Sequence, residues 1–297
     1  MEYRILKYFL AVAKEENITH AAEILHISQP ALSRQLMQLE EELGAQLFTR
    51  GKHSITLTEA GHLLRRRAQE IIDLTEKTEG EFRQGETEIG GVVSIGSGEA
   101  ESMRVLAKLM RSFSEQYPNV KFDLYSNNGD FIKERLEKGL LDIGVLIEPS
   151  DLSKYESVRL AQKERWGVIV PADSVLAQKD YIQKEDLLNC KILASKRTIA
   201  QGVAAWFGDI YEKLDIYATY NLLYNVAILV ENGLGVVLAI EGAMTLYHNP
   251  NIVFKPLYPE LLVSSVIVWK KYQPTSPAVA KFIDFLKCNL VMDNDKI

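Results

Sequence analysis

The chain has 297 residues, 47% of them hydrophobic and 25% charged, which is an ordinary globular composition and long enough for two or three domains. Its net charge of −6 argues against a non-specific architectural DNA binder, which would be strongly basic. No run of eighteen apolar residues is present, so no membrane span is expected. The N-terminal stretch MEYRILKYFLAVAKEEN carries acids on both sides of its apolar part and lacks a cleavage site, which predicts a cytoplasmic protein.

Two short helices are predicted at the start of the chain. Residues 4–16 place their apolar groups on one helical face. Thr19 is expected to cap a second helix over residues 20–26. The small residues Ala21 and Ala22 would let this helix approach a neighbour closely, as a helix-turn-helix requires.

A third helix follows a tight polar joint. Ser28 is its expected cap, with Gln29 and Pro30 in the first turn. Its predicted buried stripe consists of Leu32, Leu36, Leu39 and Leu43. The positions that point away from this stripe are Pro30, Arg34, Met37 and Glu41, with Ser33 on the flank. Small and polar groups at the N-terminal end of a short helix suit a DNA major groove, although periodicity alone also allows an ordinary helical hairpin.

A hairpin with a basic tip is predicted next. Gly44 is expected to end the third helix, and short strands over 46–49 and 54–57 flank Arg50-Gly51-Lys52-His53. The tip suits phosphate or minor-groove contact, and a solvated hairpin is the alternative. Residues 1–58 contain seven acidic side chains against six Lys and Arg, so DNA binding would need the basic groups segregated on one surface.

A long helix is predicted after Thr58, which can cap it, with Glu59 in the first turn. Apolar and threonine side chains recur along it at steps of four and three, which forms a heptad seam. The members of this seam are Leu64, Ala68, Ile71, Thr75, Thr78 and Phe82. Such a thin seam favours pairing with a second copy of the chain over packing in a core.

The segment SQPALSRQLMQLEEELGAQLF, followed by LTEAG, resembles the winged helix-turn-helix of LysR-type transcriptional regulators. The resemblance implies double-stranded DNA as a partner and a homodimer formed through the long helix, or a tetramer built through the C-terminal half of the chain. It also allows RNA polymerase as a further partner and implies no cofactor other than a small-molecule effector. The residues expected to contact DNA are Thr19, Ser28, Gln29, Pro30, Ser33, Arg34, Met37, Arg50, Lys52 and His53.

The second half of the chain has the pattern of an α/β fold. The polar, glycine-rich stretch Gln84–Gly91 reads as a hinge, and alternating strands and helices follow it. This order predicts a mostly parallel sheet with right-handed crossovers. One helix is expected over Ile199–Lys213 and a final one over Pro277–Leu290.

The α/β half is expected to form two subdomains joined by crossing strands near residues 160 and 266. This wiring, together with NLLYNVAILVENGLGVVLA, resembles the effector-binding half of LysR-type regulators, itself similar to periplasmic binding proteins. The expected divisions are 1–58 for the winged helix-turn-helix, 59–89 for the linker helix and hinge, and 90–297 for the effector domain. Within the last, subdomain I spans 90–161 plus 267–297, and subdomain II spans 162–266.

Ligands of open α/β sheets bind beyond the carboxyl ends of the strands. The loops at those ends supply the candidate effector-binding residues Ser97, Gly98, Glu99, Asn127, Asn128, Ile147, Ser195, Arg197, Thr198, Tyr220 and Asn221. Glu99 and Glu101 would repel an anion at the first of these loops, or else bind a ligand amine. Lys196 and Arg197 could oppose them, which would suit a zwitterion such as an amino acid.

Two other functions compete with a ligand-responsive regulator. An enzyme is disfavoured because His248 is the only histidine beyond residue 62 and no GxSxG, P-loop, HExxH or GxGxxG pattern is present. A transported-solute binding protein is disfavoured because it would be exported and would need a signal sequence. A cytoplasmic solute-binding or enzymatic α/β protein with an accessory DNA-binding head is the remaining alternative. Cys190 and Cys288 are expected to be reduced thiols, with a redox switch as the alternative, and no metal site is expected.

Overall fold

The chain divides into two units, Met1–Arg83 and Gln84–Ile297. The computed structural model describes residues 1–51, 55–82, 89–196, 203–245 and 249–294. The predicted site residues Lys52, His53, Arg197 and Thr198 lie outside the described residues, as do the side chains of Arg50 and Phe82 and most of the predicted hinge.

The first unit is a helical bundle with a β-hairpin, as the sequence predicts. Its elements are α1 (Tyr3–Glu15), α2 (Ile18–Ile24), α3 (Gln29–Leu43), β1 (Phe48–Arg50), β2 (Ile55–Leu57) and α4 (Glu59–Phe82). Strands β1 and β2 pair antiparallel, with Phe48 opposite Leu57. Gly44 ends α3 in the left-handed conformation (φ 63°), where glycine avoids the strain of a Cβ atom.

The caps of the helices differ in part from the prediction. Asn17, not Thr19, caps α2, because the Asn17 Oδ1 accepts hydrogen bonds from the Thr19 and His20 amides and the helix starts two residues earlier than predicted. Ser28 occupies the cap position of α3, but its side chain makes no capping hydrogen bond. The prediction for Thr58 is confirmed, since its hydroxyl accepts from the Gly61 amide at 3.0 Å.

One apolar core holds the first unit together. The inward faces of α1 and α3, including Phe9, Leu32, Leu36 and Leu39, meet in it with the hairpin. Leu43 is exposed, so the buried stripe of α3 lacks the last of its four predicted members.

The long helix α4 contributes to the same core, which changes the predicted dimerisation seam. Leu64 and Ala68 are buried against the apolar face of α1 within the same chain, and Ile72 joins them. These two seam residues are therefore not available to pair with a second chain. A heptad pattern shows only that one face is apolar, and α1 covers that face along the first half of the helix.

The second unit contains strands and helices in alternation. Its elements are β3 (Gly91–Ser97), α5 (Ser102–Gln116), β4 (Val120–Ser126), α6 (Gly129–Glu137), β5 (Ile143–Ile147), β6 (Tyr155–Pro171), β7 (Lys191–Ser195), α7 (Val203–Phe207), β8 (Asp215–Tyr220), α8 (Leu223–Glu231), β9 (Val236–Ile240), β10 (Ile252–Pro256), β11 (Leu262–Lys270) and α9 (Pro277–Asn294). Short 3₁₀ helices lie at Val175–Gln178, Lys184–Leu187, Gly208–Lys213 and Glu241–Met244.

A mixed sheet runs through the second unit in the strand order β4-β3-β5-β11-β6-β9-β7-β8, and β10 pairs with β6. The pairs at its two ends are parallel, namely β3 with β4 and β5, and β7 with β8 and β9. The crossing strands predicted near 160 and 266 are β6 and β11, which pair antiparallel from Leu262 opposite Arg165 to Lys270 opposite Tyr155. The two parallel portions of the sheet are therefore joined by two long central strands.

Separate cores form on the two sides of these crossing strands. Helices α5 and α9 pack on the β3–β4–β5 side around Phe113, Phe282 and Leu286. Helix α8 packs on the other side through Leu223, Val226 and Val230. The single helix predicted over Ile199–Lys213 is wrong in its described part. There α7 ends at Phe207, and Gly208, at φ 58°, turns the chain into a 3₁₀ helix.

None of the helices in the described ranges is long and apolar enough to cross a membrane. Cys190 and Cys288 are free cysteines. Burial, followed by the charge of Asp186, raises the pKa of the Cys190 thiol, whose sulfur also donates to the Asp186 carbonyl.

Candidate functional site

The outer face of α3 presents the predicted DNA-contacting residues at its N-terminal end. Ser28, Gln29, Pro30, Arg34 and Met37 are exposed, and Ser33 is half-exposed, as the helical periodicity predicts. Thr19 is exposed at the start of α2. The structure therefore gathers small, polar and cationic groups on a helical surface that is narrow enough for a major groove.

Several acids of α3 are already engaged inside the first unit. The Glu40 carboxylate accepts hydrogen bonds from the Leu47 and Phe48 amides at 2.7 and 3.1 Å, which braces the helix against the hairpin. The Glu42 carboxylate lies 2.8 Å from the N-terminal ammonium. These contacts engage two of the three acids of α3, whereas Glu41 stays exposed on the face that carries Arg34.

Helix α4 carries an exposed apolar strip beside the face that makes its core contacts. Leu63, Ile71 and Leu74 are 52%, 38% and 42% exposed. The hydroxyls of Thr75 and Thr78 donate to the backbone carbonyls of Ile71 and Leu74, so neither hydroxyl needs a partner outside the helix. The exposed strip therefore differs from the predicted seam: it includes Leu63 and Leu74, whereas Leu64 and Ala68 are buried.

A cleft of about 580 Å³ lies in the second unit where the parallel strands end. It is lined by Ser97, Gly98, Glu99, Ala100, Ser102, Asn127, Asn128, Gly129, Val145, Leu146, Ile147, Glu148, Pro149, Ser150, Trp166, Ser195, Val203, Tyr220, Asn221, Leu222, Leu223, Ala239, Ile240, Ala243, Leu261, Leu262, Val263 and Ser264. Its size is typical of a small-molecule site, and its walls are largely apolar with a few polar groups.

The structure brings nine of the eleven predicted effector-binding residues to this cleft, and the other two, Arg197 and Thr198, lie outside the described residues. Sequence reasoning missed the wall that β11 and its neighbours supply, from Leu261 to Ser264, and also Trp166 on β6. The prediction of crossing strands was the available signal, because a ligand between two subdomains must also contact the strands that connect them.

Glu99 connects the two sides of the cleft. It follows β3 and is exposed, and its Oε2 accepts a hydrogen bond from the backbone amide of Leu223 at 2.5 Å. Leu223 is the first residue of α8, and the cap residue Leu222 has no side-chain acceptor of its own. The Glu99 carboxylate thus serves as the cap of a helix from the other subdomain, where the helix dipole favours a negative charge.

A second carboxylate occupies the start of α5. The Glu164 side chain is only 4% exposed and accepts from the Glu101 amide, the Ser102 amide and the Ser265 hydroxyl at 3.2, 3.4 and 3.3 Å. Burial raises the pKa of Glu164 above the usual carboxyl range, and the three donors oppose that rise. Gly242 packs directly on this group, since a Cβ there would lie 2.3 Å from the Glu101 nitrogen and 2.5 Å from Glu164 Oε2.

The remaining polar residues of the cleft are partly committed to local structure. The Asn128 Oδ1 caps α6 by accepting from the Asp130 and Phe131 amides. Asn127 donates to the Tyr125 hydroxyl, and Ser97 donates to the Gly98 carbonyl. Arg159 holds the Glu148 carboxylate at 2.6 Å. These residues shape the cleft first and are available to a ligand only through their remaining donors and acceptors.

Three hydroxyl groups on the wall either lack a hydrogen-bond partner or stay protonated. The Ser102 hydroxyl is buried and has no hydrogen-bond partner, and the Ser150 hydroxyl is in the same condition. Burial, followed by the charge of Glu99, raises the pKa of Tyr220 above its usual range, so its hydroxyl remains a donor, here to the Leu238 carbonyl. Across the ranges that the structure describes, no three His, Cys, Asp or Glu side chains come together as metal ligands.

Comparison with known families assigns both units. Residues 3–62 match the bacterial regulatory helix-turn-helix protein, lysR family, and residues 86–290 match the LysR substrate binding domain. The Hca operon transcriptional activator HcaR of Escherichia coli K12 is 30% identical, over 95% of this chain and 96% of HcaR. The HTH-type transcriptional regulator YybE of Bacillus subtilis 168 is 29% identical, over 96% of this chain and 98% of YybE.

Solved structures agree on the fold. Full-length CbnR in complex with its target DNA superposes with a TM-score of 0.74 at 24% identity, over 97% of this chain and 99% of CbnR. Full-length BenM gives a TM-score of 0.52 at 25% identity, over 99% of this chain and 98% of BenM. The predicted winged helix-turn-helix, linker helix and bilobal α/β half are therefore those of an established architecture. The chain belongs to the LysR family of bacterial helix-turn-helix transcriptional regulators.

Proposed function

We propose that this DNA-binding transcriptional regulator reads its operator with the N-terminal face of α3. Pro30, Ser33, Arg34 and Met37 would face base edges, and Arg34 is the one cation among them. Thr19, Ser28 and Gln29, together with Arg50, Lys52 and His53 of the wing, would contact the backbone. The exposure of this face, with Glu40 and Glu42 of α3 engaged elsewhere, is the observation that supports the assignment.

The cleft of the second unit would hold a small-molecule effector. It combines a suitable volume with polar groups from five strand ends, and the domain that contains it matches a substrate binding domain. A ligand there would contact both subdomains and could shift their closure. A change of closure would bias DNA binding only if the ligand has different affinities for the two states.

A homodimer would form through the exposed strip of α4. Leu63, Ile71 and Leu74 provide the apolar surface, and Thr75, Thr78 and Phe82 extend the predicted seam. Introduction of a charge into the strip by Leu74→Asp is expected to yield monomers in sedimentation experiments. Arg65→Asp is the matched control, because it introduces the same carboxylate on the opposite side of α4. Dimers that persist in Leu74→Asp would assign the interface to another surface.

The cleft is proposed as a binding site and not an active site, since the curated relatives are named as transcriptional regulators. Cytoplasmic localisation is proposed with it, because a regulator must reach the chromosome. RNA polymerase is the protein partner that activation would require, and the small-molecule effector takes the place of a cofactor.

The test of DNA reading begins with genomic footprinting of the full-length protein, which identifies an operator. Arg34→Ala should then weaken binding to that operator by about 1–3 kcal/mol in a titrated gel shift, if the guanidinium contacts a base edge. Arg111→Ala is the control, since Arg111 is exposed on α5 and is paired with Glu115. Equal affinity of Arg34→Ala and wild-type protein would remove Arg34 from the reading surface.

A further inference from the structure

The charged groups on the described wall of the cleft are both acids, Glu99 and Glu148. Glu148 is neutralised by Arg159 at 2.6 Å. Glu99 forms no ion pair with the cations of the described ranges, and its partner is the single backbone amide of Leu223. A ligand that enters this cleft therefore meets an exposed carboxylate whose charge is only partly compensated.

On the described wall of the cleft, the helix starts that would favour an anionic ligand are already occupied. Backbone amides at helix starts are the usual anion sites of such clefts. Glu164 takes those of α5, Glu99 takes that of α8, and Asn128 takes those of α6. An incoming carboxylate would have to displace one of the chain's own groups and would meet repulsion from Glu99.

A second, independent feature of the same wall also lacks a partner. Ser102 lines the cleft and is 3% exposed, and its buried hydroxyl makes no hydrogen bond. Burial of an unpaired hydroxyl is unfavourable, so this oxygen is suited to accept from a donor on a ligand. An ammonium group offers three donors and no acceptor, which matches a carboxylate and a hydroxyl that lie three residues apart at the start of α5.

The rest of the wall suits an apolar body. Trp166, Val203, Leu222, Leu261 and Val263 contribute to the described lining. An indole ring also attracts a cation that lies over its face. A small apolar or aromatic molecule that ends in a protonated amine would satisfy both parts of the wall.

We propose that the effector of this regulator carries a protonated amine and that Glu99 is its counter-ion, an inference that rests on the proposed effector cleft. Because Glu99 also caps α8 across the cleft, the amine and the Leu223 amide compete for one carboxylate. Amine binding would thus draw Glu99 towards the ligand and weaken the bond between the two subdomains. The ligand would act on closure through a group that the unliganded protein uses for its own structure.

The test compares three probes with the same aromatic body on the full-length protein by isothermal titration calorimetry. The probes are 2-phenylethylamine, 2-phenylethanol and 3-phenylpropionate. The amine is expected to bind about 10-fold more tightly than either of the others. Tighter binding of the carboxylate, equal binding of all three, or no binding of the amine at millimolar concentration would overturn the proposal.

Variants assign the effect to the named atoms. Glu99→Gln removes the charge but keeps an oxygen that can accept from Leu223, so it should fold normally and lose about 10-fold of amine affinity, with the affinity for the alcohol unchanged. Glu115→Gln, which removes an exposed carboxylate at the far end of α5, should behave as wild type. Ser102→Ala should weaken amine binding about 3-fold. Amine affinity that survives Glu99→Gln would overturn the role of Glu99.

The same protein samples separate this proposal from the one on which it rests. If a carboxylate probe binds the cleft and alters the operator gel shift, the proposal of an effector cleft stands and the proposal of an amine effector is overturned. An operator complex that no cleft variant or probe changes would overturn the cleft as the effector site.

Discussion

The starts of α5 and α8 present the same helix dipole to the same cleft and are filled by the same functional group, yet the two carboxylates are held in different ways. Glu164 is buried, has three donors and a raised pKa. Glu99 is exposed, has one donor and spans the cleft. The number of donors and the access of water, not the residue type, decide which carboxylate is fixed structure and which is available to a ligand.

The largest expected effect is at the start of α5. Glu164→Leu leaves the Glu101 amide, the Ser102 amide and the Ser265 hydroxyl without their acceptor, so the second unit should lose about 3 kcal/mol of its free energy of unfolding. Thermal unfolding of the full chain, followed by the transition of the second unit, measures the loss. A loss of unfolding free energy smaller than that of Glu99→Ala would contradict the view that Glu164 is the more firmly held carboxylate.

A smaller effect is expected at the start of α8. Glu99→Ala removes one exposed cap, which should cost about 1 kcal/mol, the usual contribution of a single helix cap. The same unfolding transition measures it, and Glu115→Ala provides a control in which an exposed carboxylate with no capping role is removed. If Glu99→Ala proved as costly as Glu164→Leu, Glu99 would be a fixed structural group.

The smallest effect is a change of pH dependence. Glu164 binds its proton more tightly in the folded chain than in the unfolded one, so the folded state holds more protons between the ordinary carboxyl pKa and the raised value. The free energy of unfolding contributed by this group therefore falls as pH rises through that window. Glu164→Gln keeps an oxygen acceptor and has no such dependence. Melting curves recorded across the window should diverge in favour of the variant as pH rises, whereas parallel curves would show that the pKa is not raised.

Local sequence patterns were enough to predict most elements and the position of the cleft. The crossing strands expected near 160 and 266 are β6 and β11, and nine predicted loop residues line one cavity, because strand ends in a parallel sheet converge on one edge. The bonds of Glu164 and Glu99 were not predicted. Their partners lie 62 and 124 residues away in the chain, and no local pattern records a contact at that distance.

Two of the differences between prediction and structure in the first unit have similar causes. Asn17 and Thr19 are both good cap residues, and only the backbone conformation before the helix selects between them. The seam of α4 was placed on Leu64 and Ala68 because they recur with heptad spacing. A periodic stripe does not reveal whether its partner is another chain or α1 of the same chain, and here it is α1.

Because Glu40 and Glu42 are engaged within the first unit and few cations accompany Arg34, the DNA-binding domain is almost neutral, and this affects how the protein searches a chromosome. With few cations on the reading surface, attraction to arbitrary DNA should be weak and should change little with salt, since each neutralised phosphate adds to the salt dependence. Few molecules would then be held on the millions of competing sites in a genome. A regulator whose winged helix-turn-helix is almost neutral thus binds DNA more weakly with each copy of this domain. As a result, a larger fraction of its molecules stays free to find the operator.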